Sequence, residues 1–254
     1  MNWKRNSCKI GAVIWLVGLH VAFAGPVDDF KSANQLYDTG KFAEAAVAYE
    51  KIEPKTAHVY FNLGNAHFRE GKLGLAILDY ERARRLAPRD PDIVANLKFA
   101  EQRLGVDDVN APPRAWQKYL RSILDSRSTT EWGMYELAAL WLVAVAVGAC
   151  IYVPRFRTGW LVIAAVAFVG LAASVFALGH EVLRDRTAPP AVVVVADADA
   201  RFAPVPDSTT HFKLVEGTQV AIREDRGQWL FVERADGQQG WVKSDAVERV
   251  VPQS

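Results

Sequence analysis

Cysteine is almost missing from this chain: there are two in 254 residues, Cys8 and Cys150. Cys8 falls in a basic and apolar first segment and Cys150 inside a long apolar run. A chain that has lost its first segment therefore carries neither a disulfide framework nor a Cys-based metal site. An excess of charge is missing too. The formal net charge is +1, which removes the electrostatic case for nucleic acid. Loss of a leader ending at Ala24 takes away Lys4, Arg5 and Lys9 and no acidic residue, and shifts the charge to −2. Catalytic motifs are missing as well. The five histidines are scattered, and His58 and His67 lack zinc-protease spacing. No Gly-x-Ser-x-Gly elbow occurs, and Gly71-Lys72-Leu73-Gly74 is too short for a phosphate-binding loop. Carboxylates are plentiful but fall on helix faces, where solvation and ion pairs account for them. The sequence points to a chain that is not an enzyme and holds no cofactor or metal.

What is present is strongly segregated. Half the residues are hydrophobic and the mean hydropathy is zero, yet the apolar residues gather in three blocks. The first is residues 1–24: a basic start, an apolar run from Ile10 to Ala24, and Ala22-Phe23-Ala24 before Gly25. This is the layout of a secretory signal peptide, with an uncleaved anchor as the alternative. Either one exports the chain after Gly25.

Residues 25–104 contain a repeat. With a shift of 31, Gly40-Lys41-Phe42 overlays Gly71-Lys72-Leu73, Ala45 overlays Ala76, and Tyr49-Glu50 overlays Tyr80-Glu81. In the second copy the order Tyr60, Leu63-Gly64, Phe68, Gly71, Ala76, Tyr80, Ala83, Pro88 resembles the tetratricopeptide-repeat (TPR) pattern. Small residues let paired helices approach, aromatics fill the space between them, and Gly71 and Pro88 mark a turn and an end. Asp90-Pro91 reads as the start of a third helix, with Ile93, Leu97, Ala100 and Leu104 at helical spacing, capping an α-helical solenoid of two repeats. By resemblance, Asn34, Asn62, Asn65 and Asn96 stand at concave groove positions, Asn34 facing Asn62 and Asn65 facing Asn96. There their amides can pair with the backbone of a bound peptide. Phe61, Phe68 and Arg69 join the same groove. The alternative is that these amides only cap, solvate or bridge helices.

Residues 105–131 read as a linker followed by an amphipathic stretch. Trp116, Tyr119, Leu120, Ile123 and Leu124 form a stripe flanked by Arg114, Lys118 and Arg121, suited either to a membrane interface or to packing on the array. Ser128-Thr129-Thr130-Glu131 is a capping-box sequence. It opens a two-helix transmembrane section, 132–183, with expected spans at 134–153 and 160–178. Gly148, Ala149, Gly170, Ala172, Ala173 and Ser174 are small enough for close helix packing. Arg155 and Arg157 favour a cytoplasmic loop. Flanking arginines dilute that signal, and the exported leader decides it, placing both soluble parts outside.

Residues 191–250 read as short strands: Ala191–Ala196, Val220–Ile222, Trp229–Glu233 and Gly240–Val242, with an Asp236-Gly237 hairpin signal. Five short strands suggest a small barrel. Arg201, Pro204, Leu214, Glu216-Gly217-Thr218, Gln228-Trp229 and Gly240-Trp241-Val242 resemble a bacterial SH3-like domain. Trp229 and Trp241 are either a ligand surface or core.

The order of leader, TPR pair, membrane hairpin and SH3-like barrel resembles the BatE-like TPR membrane proteins of the bacterial aerotolerance (Bat) group. Tyr60 through Asn65, Ala76 through Ala83 and Pro88 through Asp92 carry most of the likeness. The resemblance implies a multi-pass protein of the bacterial inner membrane with both soluble domains periplasmic. It also implies membrane partners with von Willebrand A-type domains, a link to a MoxR-type ATPase, and no catalytic residues. The expected function is a scaffold docking partners in the TPR groove; the alternative is a sensor that binds peptidoglycan through the barrel.

Overall fold

The computed structural model of the chain describes residues 26–106, 109 and 127–251. The expected leader, and the linker and amphipathic stretch up to residue 126 apart from 105–106 and 109, lie outside them. Five helices come first: α1 (Pro26–Asp38), α2 (Phe42–Glu50), α3 (Ala57–Glu70), α4 (Leu73–Leu86) and α5 (Pro91–Leu104). Their ends follow from local chemistry. Thr56 caps α3 by accepting from the Val59 N–H at 3.3 Å. Gly71 ends α3 in the left-handed region, and the N–H groups of Gly71 and Lys72 return to the Phe68 and His67 carbonyls at 3.1 and 2.9 Å. Asp90 accepts from the N–H groups of Asp92 and Ile93, with Pro91 at the first helical position. Ala33, Ala45, Tyr49, Val59, Leu63 and Ala66 form one buried cluster. Ala76, Ile77, Leu78, Tyr80, Leu97 and Ala100 belong to a second.

Two long helices follow, α6 (Thr129–Tyr152) and α7 (Arg157–Thr187), joined by a short 3₁₀ turn at Pro154–Phe156. The Ser128–Glu131 capping box starts α6, with both reciprocal bonds formed. Both helices are long and apolar enough to cross a membrane. The second resumes at Arg157, earlier than residue 160, and runs on to Thr187, past the expected end at 178. The packing seam also differs from expectation. A Cβ added at Gly148 or Gly170 meets nothing within 4 Å. Of the expected small residues Ser174 is buried, and the rest of the buried seam is Ala146, Ala167 and Ala177; Ser174 returns its hydroxyl to the Gly170 carbonyl at 3.0 Å. Alanine and serine already allow close packing, and the glycines face away from the partner helix.

The C-terminal part is a seven-stranded antiparallel sheet, and two more strands are present than the five expected. They are β1 (Pro190–Val193), β2 (Asp197–Arg201), β3 (Thr210–Val215), β4 (Gln219–Asp225), β5 (Trp229–Arg234), β6 (Gln239–Lys243) and β7 (Val247–Arg249). Their order is β3-β2-β6-β5-β4-β1-β7. The run at 191–196 is not one strand. The N–H of Val193 pairs with the Thr218 carbonyl and that of Val194 with the Ala246 carbonyl, which ends β1 and turns the chain. Strand β2 has no β-branched residue and only Ala198 and Ala200 pointing inward, so its composition conceals it.

The sheet rests on the outer side of the array through α4. Val192 and Val250 join Ile77, Leu78, Leu97 and Val106 in one buried cluster. The Gly74 N–H, in the first turn of α4, donates to Glu216 Oε1 at 2.6 Å, so a sheet carboxylate caps an array helix. Gln219 Nε2 reaches Glu81 Oε1 at 2.7 Å and Glu101 Oε1 at 3.3 Å. Arg85 pairs with Asp185 near the end of α7, and Arg89 with Glu131 at the start of α6. The free ends of both long helices are thereby tied to the same end of α4.

Candidate docking groove

Helices α1, α3 and α5 each contribute asparagines to one face of the array. The Tyr49 hydroxyl donates to Asn34 Oδ1 at 2.6 Å, and Asn62 Nδ2 approaches the same oxygen at 3.4 Å. One repeat later the Tyr80 hydroxyl donates to Asn65 Oδ1 at 2.8 Å, and Asn96 Nδ2 donates to it at 2.9 Å. The arrangement thus occurs twice, with a tyrosine of α2 or α4 orienting an asparagine of α1 or α3 that also bridges to α3 or α5 in turn. In both copies the Oδ1 atom is occupied from inside the array. The Nδ2 groups of Asn34 and Asn65 have no partner among the described residues, and neither do the carbonyl oxygens of Asn62 and Asn96. An amide held by its own carbonyl keeps a fixed orientation and an open donor.

Burial pushes the Tyr49 hydroxyl up from its ordinary 10 to about 12, with Asp38 and Tyr37 adding to the effect. Burial raises Tyr80 too. The folded array holds these protons more tightly than the unfolded chain does. Their stabilisation is therefore complete below pH 10 and is lost as pH rises from 10 towards 12. Urea unfolding across that range is expected to show the decline, and Tyr49→Phe is expected to remove part of it.

The groove also carries aromatic rings. Phe61 packs beside Tyr80 at 6.0 Å, and Phe68 lies 5.6 Å from Phe99. Phe99 is 55% exposed and was not anticipated. Its signal is its place 34 residues after Asn65, the offset that also relates Asn62 to Asn96. The Arg69 guanidinium lies 4.4 Å over the Phe42 ring, and that of Arg103 lies 6.0 Å over Phe68. Also unanticipated is a buried polar chain behind the groove. His67 Nδ1 meets Asp79 Oδ2 at 2.8 Å, and Arg82 donates to Asp79 Oδ1 at 3.3 Å.

A family model described as the tetratricopeptide repeat matches residues 57–90, and one described as a variant SH3 domain matches residues 202–250. No curated protein matches the chain. The first match spans α3, α4 and the residues leading into α5, which include Asn62, Asn65 and Tyr80. A TPR repeat is a protein-interaction element and an SH3-like domain is a binding module.

On the sheet, Trp229 and Trp241 are only 8% and 7% exposed. Trp241 is covered by the Arg226 guanidinium at 4.6 Å and by Phe231 at 5.1 Å. Both tryptophans therefore offer little open surface, although neither belongs to the sheet's hydrophobic cluster. The exposed ring on the sheet is Phe202, 63% exposed and stacked 4.3 Å from His211. Among the described residues no group of three or more His, Cys, Asp or Glu is placed to hold a metal ion.

Proposed function

We propose that this chain is a non-enzymatic adaptor of the bacterial inner membrane, docking a segment of a partner protein in its TPR groove. The observation that carries the reading is the duplicated Tyr–Asn–Asn arrangement, which presents fixed amide donors one repeat apart. In this reading α6 and α7 anchor the protein, and the array and sheet stand together on the extracytoplasmic side. The pairs Arg85–Asp185 and Arg89–Glu131 support that common side. The likeness to the Bat group suggests a partner with a von Willebrand A-type domain and a role in stress or oxygen tolerance.

Asn96→Ala is the test with least collateral damage, because it leaves the Tyr80–Asn65 bond in place. Crosslinking capture from membranes is expected to lose a membrane protein that the parent chain retains, with the thermal midpoint nearly unchanged. An unchanged captured set means that Asn96 serves the array alone, and the same result with Asn65→Ala means that the asparagines do.

A second reading rests on the exposed Phe202–His211 pair. A flat ring backed by an imidazole is a stacking platform for a sugar or peptide strand, which suits an SH3-like domain that binds peptidoglycan. Phe202→Ala is expected to abolish co-sedimentation with cell walls if this surface is used. The sheet keeps its fold in that variant, because the ring lies outside its core.

A further inference from the structure

The arginines of the array fall into two groups. Arg82, Arg84, Arg85 and Arg89, on α4 and its exit, each hold a carboxylate: Asp79 and Glu248, Glu81, Asp185 and Glu131 in turn. Arg69 on α3 and Arg103 on α5 hold none among the described residues. Each lies instead on an aromatic ring, Phe42 and Phe68. They are 34 residues apart, the same offset as Asn62 and Asn96, so they occupy matched positions on neighbouring groove helices. The matched position in the first repeat, 31 residues before Arg69, is Asp38. The groove is therefore polarised, acidic at α1 and cationic at α3 and α5. The Phe68–Phe99 pair lies against Arg103 and follows directly on Arg69 along α3, with Phe99 mostly exposed.

A guanidinium resting on a ring face is already ordered and partly dehydrated, yet keeps its N–H edge for a planar acceptor. Two such groups on neighbouring helices, with an exposed ring and fixed amide donors on the same face, describe their occupant by complementarity. The geometry points to an acidic segment of a partner protein, with two Asp or Glu side chains bracketing an aromatic or large apolar residue. The carboxylates pair with Arg69 and Arg103, the central side chain packs on Phe99, and the segment's backbone meets the asparagine amides. A terminal carboxylate alone reaches one arginine, whereas two acidic side chains of an internal segment reach both. This inference rests on the docking reading above and specifies its ligand.

The test uses the full chain in lipid nanodiscs and labelled peptides that are acetylated and C-terminally amidated, so that only side chains carry charge. One peptide has a glutamate on each side of a phenylalanine; the others replace both glutamates by glutamine or by lysine. The glutamate peptide is expected to bind about tenfold more tightly than the glutamine one, with the difference shrinking in high salt. Arg69→Gln and Arg103→Gln are each expected to weaken it by about threefold to fivefold, as for partly exposed pairs. The double charge reversal, Arg69→Glu with Arg103→Glu, is expected to prefer the lysine peptide, a gain that a misfolded protein cannot produce. Equal binding of the glutamate and glutamine peptides overturns the acidic assignment, and so does an unchanged preference after charge reversal. If no peptide binds but Asn96→Ala still loses its captured partner, the acidic assignment fails and the docking reading stands. If Asn96→Ala and Asn65→Ala also have no effect, both fail.

Discussion

Gly217→Val is expected to release the sheet from the repeat array while leaving each folded. Gly217 sits in the turn between β3 and β4 with φ +78°, in the left-handed region. A Cβ there would lie 2.6 Å from Ile77 Cδ1 and 2.8 Å from Leu104 Cδ1. Both are the ends of array side chains, so the turn inserts as a wedge and a methyl group enters only if they shift. Valine adds the left-handed penalty of about 1–2 kcal/mol to an overpacking cost of about 1–3 kcal/mol. Separation of the two parts relieves the clash. It also strips the Glu216 carboxylate from the Gly74 N–H and opens the cluster around Val192 and Val250.

The expected result is faster hydrogen exchange at the start of α4 and at β1, with the sheet's own core amides still protected. Gly217→Asn separates the two causes, since asparagine tolerates the left-handed region but still brings a Cβ. It is expected to weaken docking by less than valine does. Adding Ile77→Val to either variant removes the nearest obstructing atom and is expected to restore part of the contact. Uniform loss of protection across the sheet would mean instead that Gly217 serves the folding of the turn alone.

Much of this architecture is readable from residue patterns, because each legible feature is local. The helix ends at Gly71 and Asp90, the Ser128 capping box and the Asp236-Gly237 hairpin all depend on residues within four positions of one another. The second repeat is legible because its Gly, Ala and aromatic positions recur at fixed spacing. The docking of the sheet on α4 is not legible. It depends on Glu216 meeting Gly74 across 142 positions, and no periodicity links them. Gly74 does carry a hint, as a glycine in the first turn of a helix where the repeat pattern asks for none. A Cβ there would meet Glu216 Cγ at 2.6 Å and the Val193 carbonyl at 2.8 Å. Strand β2 was hidden because alanine fills its inward positions. The tryptophans were ambiguous because the same large ring suits a core and a binding face, and only burial separates the two. In the groove, the resemblance to the TPR pattern singles out the asparagines but not the tyrosines that hold them, because Tyr49 and Tyr80 read equally well as core aromatics.

Arg82→Met is expected to be the most damaging single change in the array, at about 3–5 kcal/mol, because it breaks a buried charge network from one end. Asp79 is 1% exposed and is held between His67 at 2.8 Å and Arg82 at 3.3 Å. The same guanidinium reaches Glu248 Oε1 at 2.8 Å, the Arg249 carbonyl at 2.9 Å and the Val250 carbonyl at 3.3 Å. One side chain thus neutralises a buried carboxylate and also binds the last strand of the sheet. Methionine fills similar volume but leaves Asp79 with His67 as its remaining partner and the β7 carbonyls without a donor. Arg82→Lys keeps the charge but not the fork that spans several acceptors, and its cost is expected to fall between the two. Burial pushes the Asp79 carboxyl up, and His67 and Arg82 oppose it. With Arg82 gone that opposition weakens, and the folded state holds the Asp79 proton more tightly than the unfolded state does. The deficit of Arg82→Met should therefore shrink as pH falls and grow as pH rises through the raised value. Replacing both partners, Asp79→Leu with Arg82→Met, is expected to recover much of the stability in urea unfolding, since no buried charge is then stranded. It is not expected to recover the protection of β7 in hydrogen exchange, because the donor to the Arg249 and Val250 carbonyls is still missing. Recovery of both would place the role of Arg82 in neutralising Asp79 alone, and recovery of neither would place it in holding the sheet.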